Sequence, residues 1–134
     1  MAKGQSVLIE TGKTPEGEKY HLYVVITNPD AESNVLLVPI CTYHEDTASN
    51  PYPGQDDSCI LSAGCHKFIK RKSYVKFHKS KIMNIFDIFN GIHKGKLIQK
   101  DDFDPEIIKD IQQGAEKSKF IPQKFKYFFQ YFLS

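Results

Sequence analysis

Cationic and aromatic side chains are interleaved in one stretch of the chain. Residues 58–86 contain six lysines and Arg71, which is the only arginine of the protein, and no acidic residue. The net charge of +2 therefore conceals a balance of −6 over residues 1–57 and +7 over residues 58–86. Cations neutralise phosphates, and aromatic rings provide surfaces on which unpaired bases stack. The pattern favours anion binding over the alternative, a solvated lysine face. The candidate binding residues are Lys67, Lys70, Arg71, Lys72, Ser73, Tyr74, Lys76 and His78.

Histidines accompany this cationic stretch. Cleavage of an RNA strand without a metal needs a base for the 2′-hydroxyl, an acid for the leaving 5′-oxygen and a cation for the added phosphate charge. Histidine suits either proton-transfer role, because its ordinary pKa is near neutrality. His21 is a polar residue on an apolar strand, His44 opens a loop, and His66 and His78 flank the lysines. Singly, each is typical of an ordinary surface or hydrogen-bonded histidine, and only the set indicates catalysis.

The cysteine spacing disfavours a zinc site, and the usual nucleotide-binding and hydrolase motifs are absent from the sequence. Cys41-x2-His44 and the adjacent Cys65-His66 could supply zinc ligands, but no CxxC pair exists and neighbours on a strand point to opposite faces. No GxGxxG, P-loop, GxSxG or HExxH pattern occurs, so we expect neither a metal nor a cofactor. Three cysteines without a visible export signal predict free thiols in the cytoplasm. No apolar run is long enough to span a membrane, and we expect no membrane partner.

Short strands followed by helices are the elements that must position these side chains. Residues 20–27 alternate, so that His21 shares a face with Tyr23, and residues 73–78 should expose Tyr74, Lys76 and His78 on one side. Residues 34–42 are apolar on both faces, which predicts a central strand, with a bulge or an edge at Pro39. Further short strands are expected at residues 6–10 and 58–61. About five short strands predict a small β-barrel.

The apolar period changes to a helical one after residue 82. Residues 85–89, a helix opened by Asp104-Pro105, and a last helix with Phe125, Phe128, Phe129 and Phe132 on one face predict a helical C-terminus. The expected architecture is mainly β with C-terminal helices (β+α). Residues 1–82 form the barrel, and residues 83–134 form a helical element packed on it within a single domain. The aromatic face would complete the core or, alternatively, bind a partner or a membrane surface.

Several segments together resemble one protein family. Residues 21–29 (HLYVVITNP) resemble the early strand of PemK/MazF-like toxins. Residues 35–42 (VLLVPICT) resemble the next strand of that family, which ends in a proline element followed by Thr or Ser. Residues 57–61 (DSCIL) and 73–75 (SYV) resemble the strands that follow. The resemblance covers roughly residues 18–82 and the order of the helices.

This resemblance implies an SH3-like barrel, usually a homodimer, that acts as a metal-independent endoribonuclease on single-stranded RNA and is neutralised by a cognate antitoxin. The family's arginine falls on His21 and its Thr or Ser falls on Thr42, while Leu22 replaces the proline that follows the arginine. The predicted catalytic residues are His21, Thr42 and His66, and the loop of residues 43–57 would gate access. The alternatives are a non-catalytic SH3-like module for nucleic acid or an acidic protein, and a protein-interaction domain acting through the Phe125–Phe132 face.

Overall fold

Seven strands and three α-helices make up the part of the chain that the computed structural model describes. That part comprises residues 2–45, 48–49 and 54–133, without the side chains of residue 18 and residues 130–133. No helix within it is both long and apolar enough to cross a membrane. In chain order the elements are β1 (Ser6–Thr14), β2 (Gly17–Val25), β3 (Asn34–Thr42), β4 (Ile60–Leu61), β5 (Ser73–Val75), a short 3-10 helix (Phe77–Lys79), β6 (Lys81–Asn84), α1 (Ile85–His93), β7 (Ile98–Lys100), α2 (Pro105–Lys117) and α3 (Gln123–Leu133).

The strands form one antiparallel sheet in the order β4-β5-β3-β2-β1-β7, with β6 also paired to β3. The predicted β+α class with C-terminal helices is confirmed. The expected count of about five strands is too low, and the sheet is not closed, since β4 and β7 end the order of strands in the described part of the chain. The additional strands are β6 and β7, which the sequence hides because both are short and carry lysines.

The predicted boundary at residue 82 does not separate sheet from helix. Strand β6 runs across it, and β7 pairs with β1 although it follows the first helix. The strand expected over residues 73–78 is also shorter, because the chain turns into the 3-10 helix and buries Phe77 completely.

Two layers of helix cover the two faces of the sheet. Leu22, Val24 and Leu36 belong to a core cluster that includes residues of α2 and α3. Tyr23, Val25 and Leu37 point the other way, into a cluster with Ile88 of α1. Phe125 and Phe129 of the last helix are buried, so these parts of the aromatic face belong to the core; the side chain of Phe132 lies outside the described residues.

Strand β3 lies at the centre of the sheet and changes partner at Pro39. On one side it pairs with β6 through residues 34–37 and with β5 through residues 40–42. The Pro39 carbonyl accepts a hydrogen bond of 3.0 Å from the Lys76 N–H at the junction. The N–H and C=O of one strand residue point to the same side of the strand. Pro39 therefore lacks its N–H on the side of β5 and β6, at the position where β3 changes from one of these partners to the other. Instead of the bulge or edge predicted at Pro39, the structure therefore has a change of partner strand at this residue.

The hairpin of β1 and β2 contains a β-bulge. Its strands extend beyond the predicted residues 6–10 and 20–27 toward a tight turn at Pro15-Glu16. The register shifts between Glu10 and Gly12, which leaves Thr11 as the additional residue. Bulges increase local twist and redirect side chains, and they recur next to functional sites.

Candidate active site

Strands β2 and β3 separate before either one ends. Their pairing runs from Val25–Leu37 to Leu22–Ile40. Beyond that pair, β2 continues beside β1 to Gly17, while β3 continues beside β5 to Thr42. The sheet therefore opens at His21 on β2 and Cys41 on β3, a place that we call the fork.

A basic cleft of about 620 Å³ lies on one side of the fork. Four lysines and two histidines line it, together with a single acidic residue. Such a concentration of cations around a concave surface attracts and holds an anion. The lining residues are Glu10, Thr11, Lys19, His21, Tyr23, Pro39, Cys41, Lys76, His78, Lys79, Ser80 and Lys81.

A hydrogen bond between His21 and the neighbouring strand β1 holds the imidazole in this cleft. Its Nδ1 lies 2.6 Å from Oγ1 of Thr11, the bulged residue of β1. Burial lowers the pKa of His21 from its ordinary 6.5, and the charges of Lys19 and Lys76 lower it further. A pKa below 6.5 favours the neutral imidazole at physiological pH. In the tautomer whose Nδ1–H donates to Thr11 Oγ1, Nε2 has a lone pair with which to accept a proton.

Tyr23 and Cys41 line the same cleft as neutral groups. Burial is the main cause that raises the pKa of both side chains. The Tyr23 hydroxyl donates to the Lys79 carbonyl over 3.4 Å, and Nζ of Lys81 lies 5.9 Å from the centroid of the Tyr23 ring. Since the Cys41 thiol stays protonated, it does not act as a thiolate nucleophile here.

Thr42 lies at a second, smaller cleft. This small cleft has a volume of about 210 Å³. Because alternate residues of a strand share a face, Thr42 lies on the face of Ile40 and Leu22, whereas His21 lies on the face of Tyr23. The structure therefore does not bring His21 and Thr42 into one cleft. The small cleft is lined by Leu22, Ile40, Cys41, Thr42, Phe68, Ile69, Lys70, Arg71 and Ser73.

His66 is buried away from both clefts and is fully hydrogen bonded. Its Nδ1 accepts from the Phe68 N–H at 3.0 Å, and its Nε2 donates to the Asp101 carbonyl at 2.7 Å. The ring also stacks on Phe103, with centroids 4.3 Å apart. These contacts require the neutral tautomer with its proton on Nε2, and they give His66 a structural position.

The predicted lysines divide into paired and unpaired cations. Lys67 forms an ion pair with Asp101 and Lys72 forms one with Glu45, each over 3.2 Å. Within the described residues, no ion pair engages Lys76 in the basic cleft, nor Lys70 and Arg71 at the small cleft.

The remaining predicted binding residues occupy three different environments. The alternation predicts an exposed Tyr74, but in the structure Tyr74 is buried and packs edge-on against Tyr43, with ring centroids 6.3 Å apart. Ser73 is also buried, and its hydroxyl donates to the Arg71 carbonyl at 2.8 Å. His78 is exposed and lines the basic cleft from the 3-10 helix.

Several residues of the basic cleft are not among the candidates predicted from the sequence. Lys79 and Lys81 belong to the cationic stretch, whereas Lys19 and Thr11 lie outside it. Lys19 lies in the acidic part of the chain, so its charge drew no attention there. Thr11 falls in a stretch expected to be a turn. The alternation of β2 and the pairing with β1 are the signals that place both residues near His21.

Neither a metal cluster nor a known relative identifies the site. Within the described residues, no group of three His, Cys, Asp or Glu side chains could hold a metal ion. The predicted gating loop contains residues 46–47 and 50–53, which lie outside the described residues.

In comparisons with known proteins, no family model, curated protein or solved structure matches this chain.

Proposed function

We propose that this protein cleaves single-stranded RNA at the basic cleft without a metal. One observation carries the proposal: a histidine with a lowered pKa lies in a cleft lined by Lys19, Lys76, Lys79 and Lys81. A neutral imidazole can remove a proton, and the lysines attract the phosphate and stabilise the charge that it gains in the transition state. The resemblance to PemK/MazF-like toxins supports the same activity.

The proposed reaction uses the two histidines of the cleft. In the active tautomer, Nδ1–H of His21 donates to Thr11 Oγ1, which leaves Nε2 free to take the proton of the 2′-hydroxyl. The 2′-oxygen then bonds to phosphorus as the bond from phosphorus to the 5′-oxygen breaks. His78, which lines the same cleft, donates a proton to the departing oxygen. The products are a 2′,3′-cyclic phosphate and a 5′-hydroxyl.

This assignment revises the residues predicted from the sequence. His21 keeps the role of base, while His78 takes the role of second proton carrier because His66 has a protein partner at each ring nitrogen. Thr42 lies at the small cleft and not beside His21. Among the cations predicted from the sequence, Lys76 takes the role of partner to His21 in this proposal, because it lines the same cleft and its charge lowers the pKa of His21.

The finer predictions of fold and assembly belong to the same proposal. An SH3-like barrel, a homodimer and neutralisation by an antitoxin would accompany a toxin-like ribonuclease, as would a cytoplasmic location. The antiparallel sheet followed by C-terminal helices supports the fold component, since an SH3-like barrel is built from short antiparallel strands.

Cleavage of single-stranded RNA by the purified protein in EDTA tests the proposal. Wild type should cut the RNA, and His21→Ala should reduce the rate by about 10²–10⁴-fold, the usual contribution of a general base. His93→Ala removes a histidine at the exposed end of α1 and should leave the rate unchanged. Equal survival of the RNA with wild type and His21→Ala would contradict the activity.

A second candidate function is binding of nucleic acid without catalysis. Lys70 and Arg71, which form no ion pair with a residue that the structure describes, favour it because they lie at a cleft that does not contain the candidate base. This alternative predicts binding that weakens steeply with salt, no cleavage, and loss of binding on charge reversal at Lys70 and Arg71. Binding that does not respond to salt would exclude it.

A further inference from the structure

The small cleft has the composition of a base-binding subsite. We propose that it holds a nucleobase of the RNA strand whose scissile phosphate lies in the basic cleft. This inference rests on the RNA binding of the proposed function, and it adds to it a contact with a base. It also gives Thr42, Lys70 and Arg71 a role separate from the chemistry at His21.

The size and floor of the cleft suit a flat ring. Its volume of about 210 Å³ lies below the range of about 300–1,000 Å³ that drug-sized ligands need. Leu22, Ile40 and Ile69 contribute apolar side chains to the lining, and Thr42 contributes a hydroxyl-bearing side chain. An unpaired base is a flat ring with polar edges and fits such a lining.

Phe68 supplies an aromatic surface at this cleft. Its side chain is 45% exposed, although most large apolar side chains around it are buried. Nζ of Lys100 lies 5.7 Å from the ring centroid, so a cation accompanies the ring. Stacking of a base on an exposed aromatic ring stabilises single-stranded complexes and tolerates any base.

Two cations at the rim match the charge of the strand. Neither Lys70 nor Arg71 forms an ion pair with a residue that the structure describes, whereas Lys67 and Lys72 do. The planar guanidinium of Arg71 can bind two phosphate oxygens at once, which a lysine cannot do. The only arginine of the chain therefore lies where a phosphate next to the bound base would pass.

The fork joins the two clefts. Cys41 lines both of them, and the separation of β2 from β3 begins at Leu22 and Ile40, which line the small cleft. A single strand of RNA passing the fork would present a phosphate to the basic cleft and a neighbouring base to the small cleft.

Binding of a labelled deoxyuridine hexamer and of its fully abasic counterpart tests the subsite by fluorescence anisotropy. The two probes carry the same phosphates, and neither has a 2′-hydroxyl, so the proposed reaction cannot consume them. Wild type should bind the hexamer about tenfold more tightly than the abasic strand, in line with stacking of one base. Phe68→Leu keeps apolar bulk but removes the ring, and it should abolish most of this difference.

Phe120→Leu is the matched control, because Phe120 is also 45% exposed and lies outside both clefts. It should preserve the tenfold difference. Photo-crosslinking of a 5-iodouracil hexamer to wild type should label Phe68, a readout that needs no variant. Equal affinity of wild type for both probes, or a crosslink elsewhere, would overturn the subsite. Base-dependent binding with no RNA cleavage would overturn the catalytic proposal and leave the subsite intact.

Discussion

The two ends of the β2–β3 pair differ in burial and in the charge of their surroundings. At one end, Val24 and Val25 pair with Val38 and Leu37, all four are fully buried, and helices cover both faces. At the other end the strands separate, with His21 in the basic cleft and Cys41 lining both the basic cleft and the small cleft. One pair of strands therefore stabilises the fold at its closed end and presents chemical groups at its open end. Substitutions at the two ends should consequently affect different properties.

The largest expected effect is on stability at the closed end. Leu37→Ala leaves a cavity in a site where the side chain has no exposure, and it should lower the free energy of unfolding by about 2–5 kcal/mol. Thr42→Ala removes an exposed side chain at the open end and should change it by less than about 0.5 kcal/mol. Urea titration of both variants measures the free energy of unfolding. Equal losses of stability in Leu37→Ala and Thr42→Ala would contradict the proposed difference between the closed and the open end.

The next largest effect separates two lysines of the same cationic stretch. Lys76 lies in the basic cleft, so Lys76→Ala should slow RNA cleavage by about 100-fold, as loss of one transition-state contact does elsewhere. Lys67 is exposed and paired with Asp101, and Lys67→Ala should leave the rate nearly unchanged. Initial rates at saturating RNA test this difference. Parallel losses in both variants would instead indicate a diffuse charge effect.

A smaller effect is expected from Thr11, which positions His21. Thr11→Val removes the oxygen 2.6 Å from Nδ1 and should reduce kcat by about tenfold with little change in KM, since a hydrogen bond to a catalytic group orients it. Thr11→Ser keeps the oxygen and should restore the rate. If Ser behaves like Val, the hydroxyl has no part in orienting the base.

The smallest effect concerns the pH dependence of stability. The pKa of His21 is lowered in the folded protein, whereas in the unfolded chain it is about 6.5. Between these two values the unfolded state binds more protons, so stability should fall as the pH drops below 6.5. His21→Gln removes the titrating group and should flatten this part of the curve. Urea midpoints between pH 7 and pH 5 measure it, and identical slopes in both proteins would contradict a lowered pKa.

Alternation and apolar runs predicted the part of the fold that depends on local pattern. The central position of β3 and the shared face of His21 and Tyr23 follow from residue order alone, whereas the bulge or edge predicted at Pro39 is a change of partner strand. Strand β7 could not be predicted, because three residues of mixed polarity form a strand only through pairing with β1. The turn into the 3-10 helix depends on burial of Phe77, which is a property of the whole core.

The candidate site was only partly predictable for a related reason. Residue type identified His21 and the lysines, but the register of β2 against β3 decides that Thr42 lies at a different cleft. Histidine is a common catalytic residue, but His66 is held by hydrogen bonds that the sequence does not reveal. One is to the carbonyl of Asp101, which is far away in the chain, and the other is to the backbone N–H of Phe68 in an irregular segment. The sequence therefore predicts which chemical groups are present, whereas the pairing register of the strands decides which of these groups share a cleft.

The chemical identity of the cleaved ends tests the central claim most directly. Single-stranded RNA is incubated with wild type and with His21→Ala in EDTA, and the new termini are identified by mass spectrometry. A base that activates the 2′-hydroxyl at the open end predicts 2′,3′-cyclic phosphate and 5′-hydroxyl ends with wild type alone. Intact RNA, identical fragments from both proteins, or ends carrying a 5′-phosphate would contradict it.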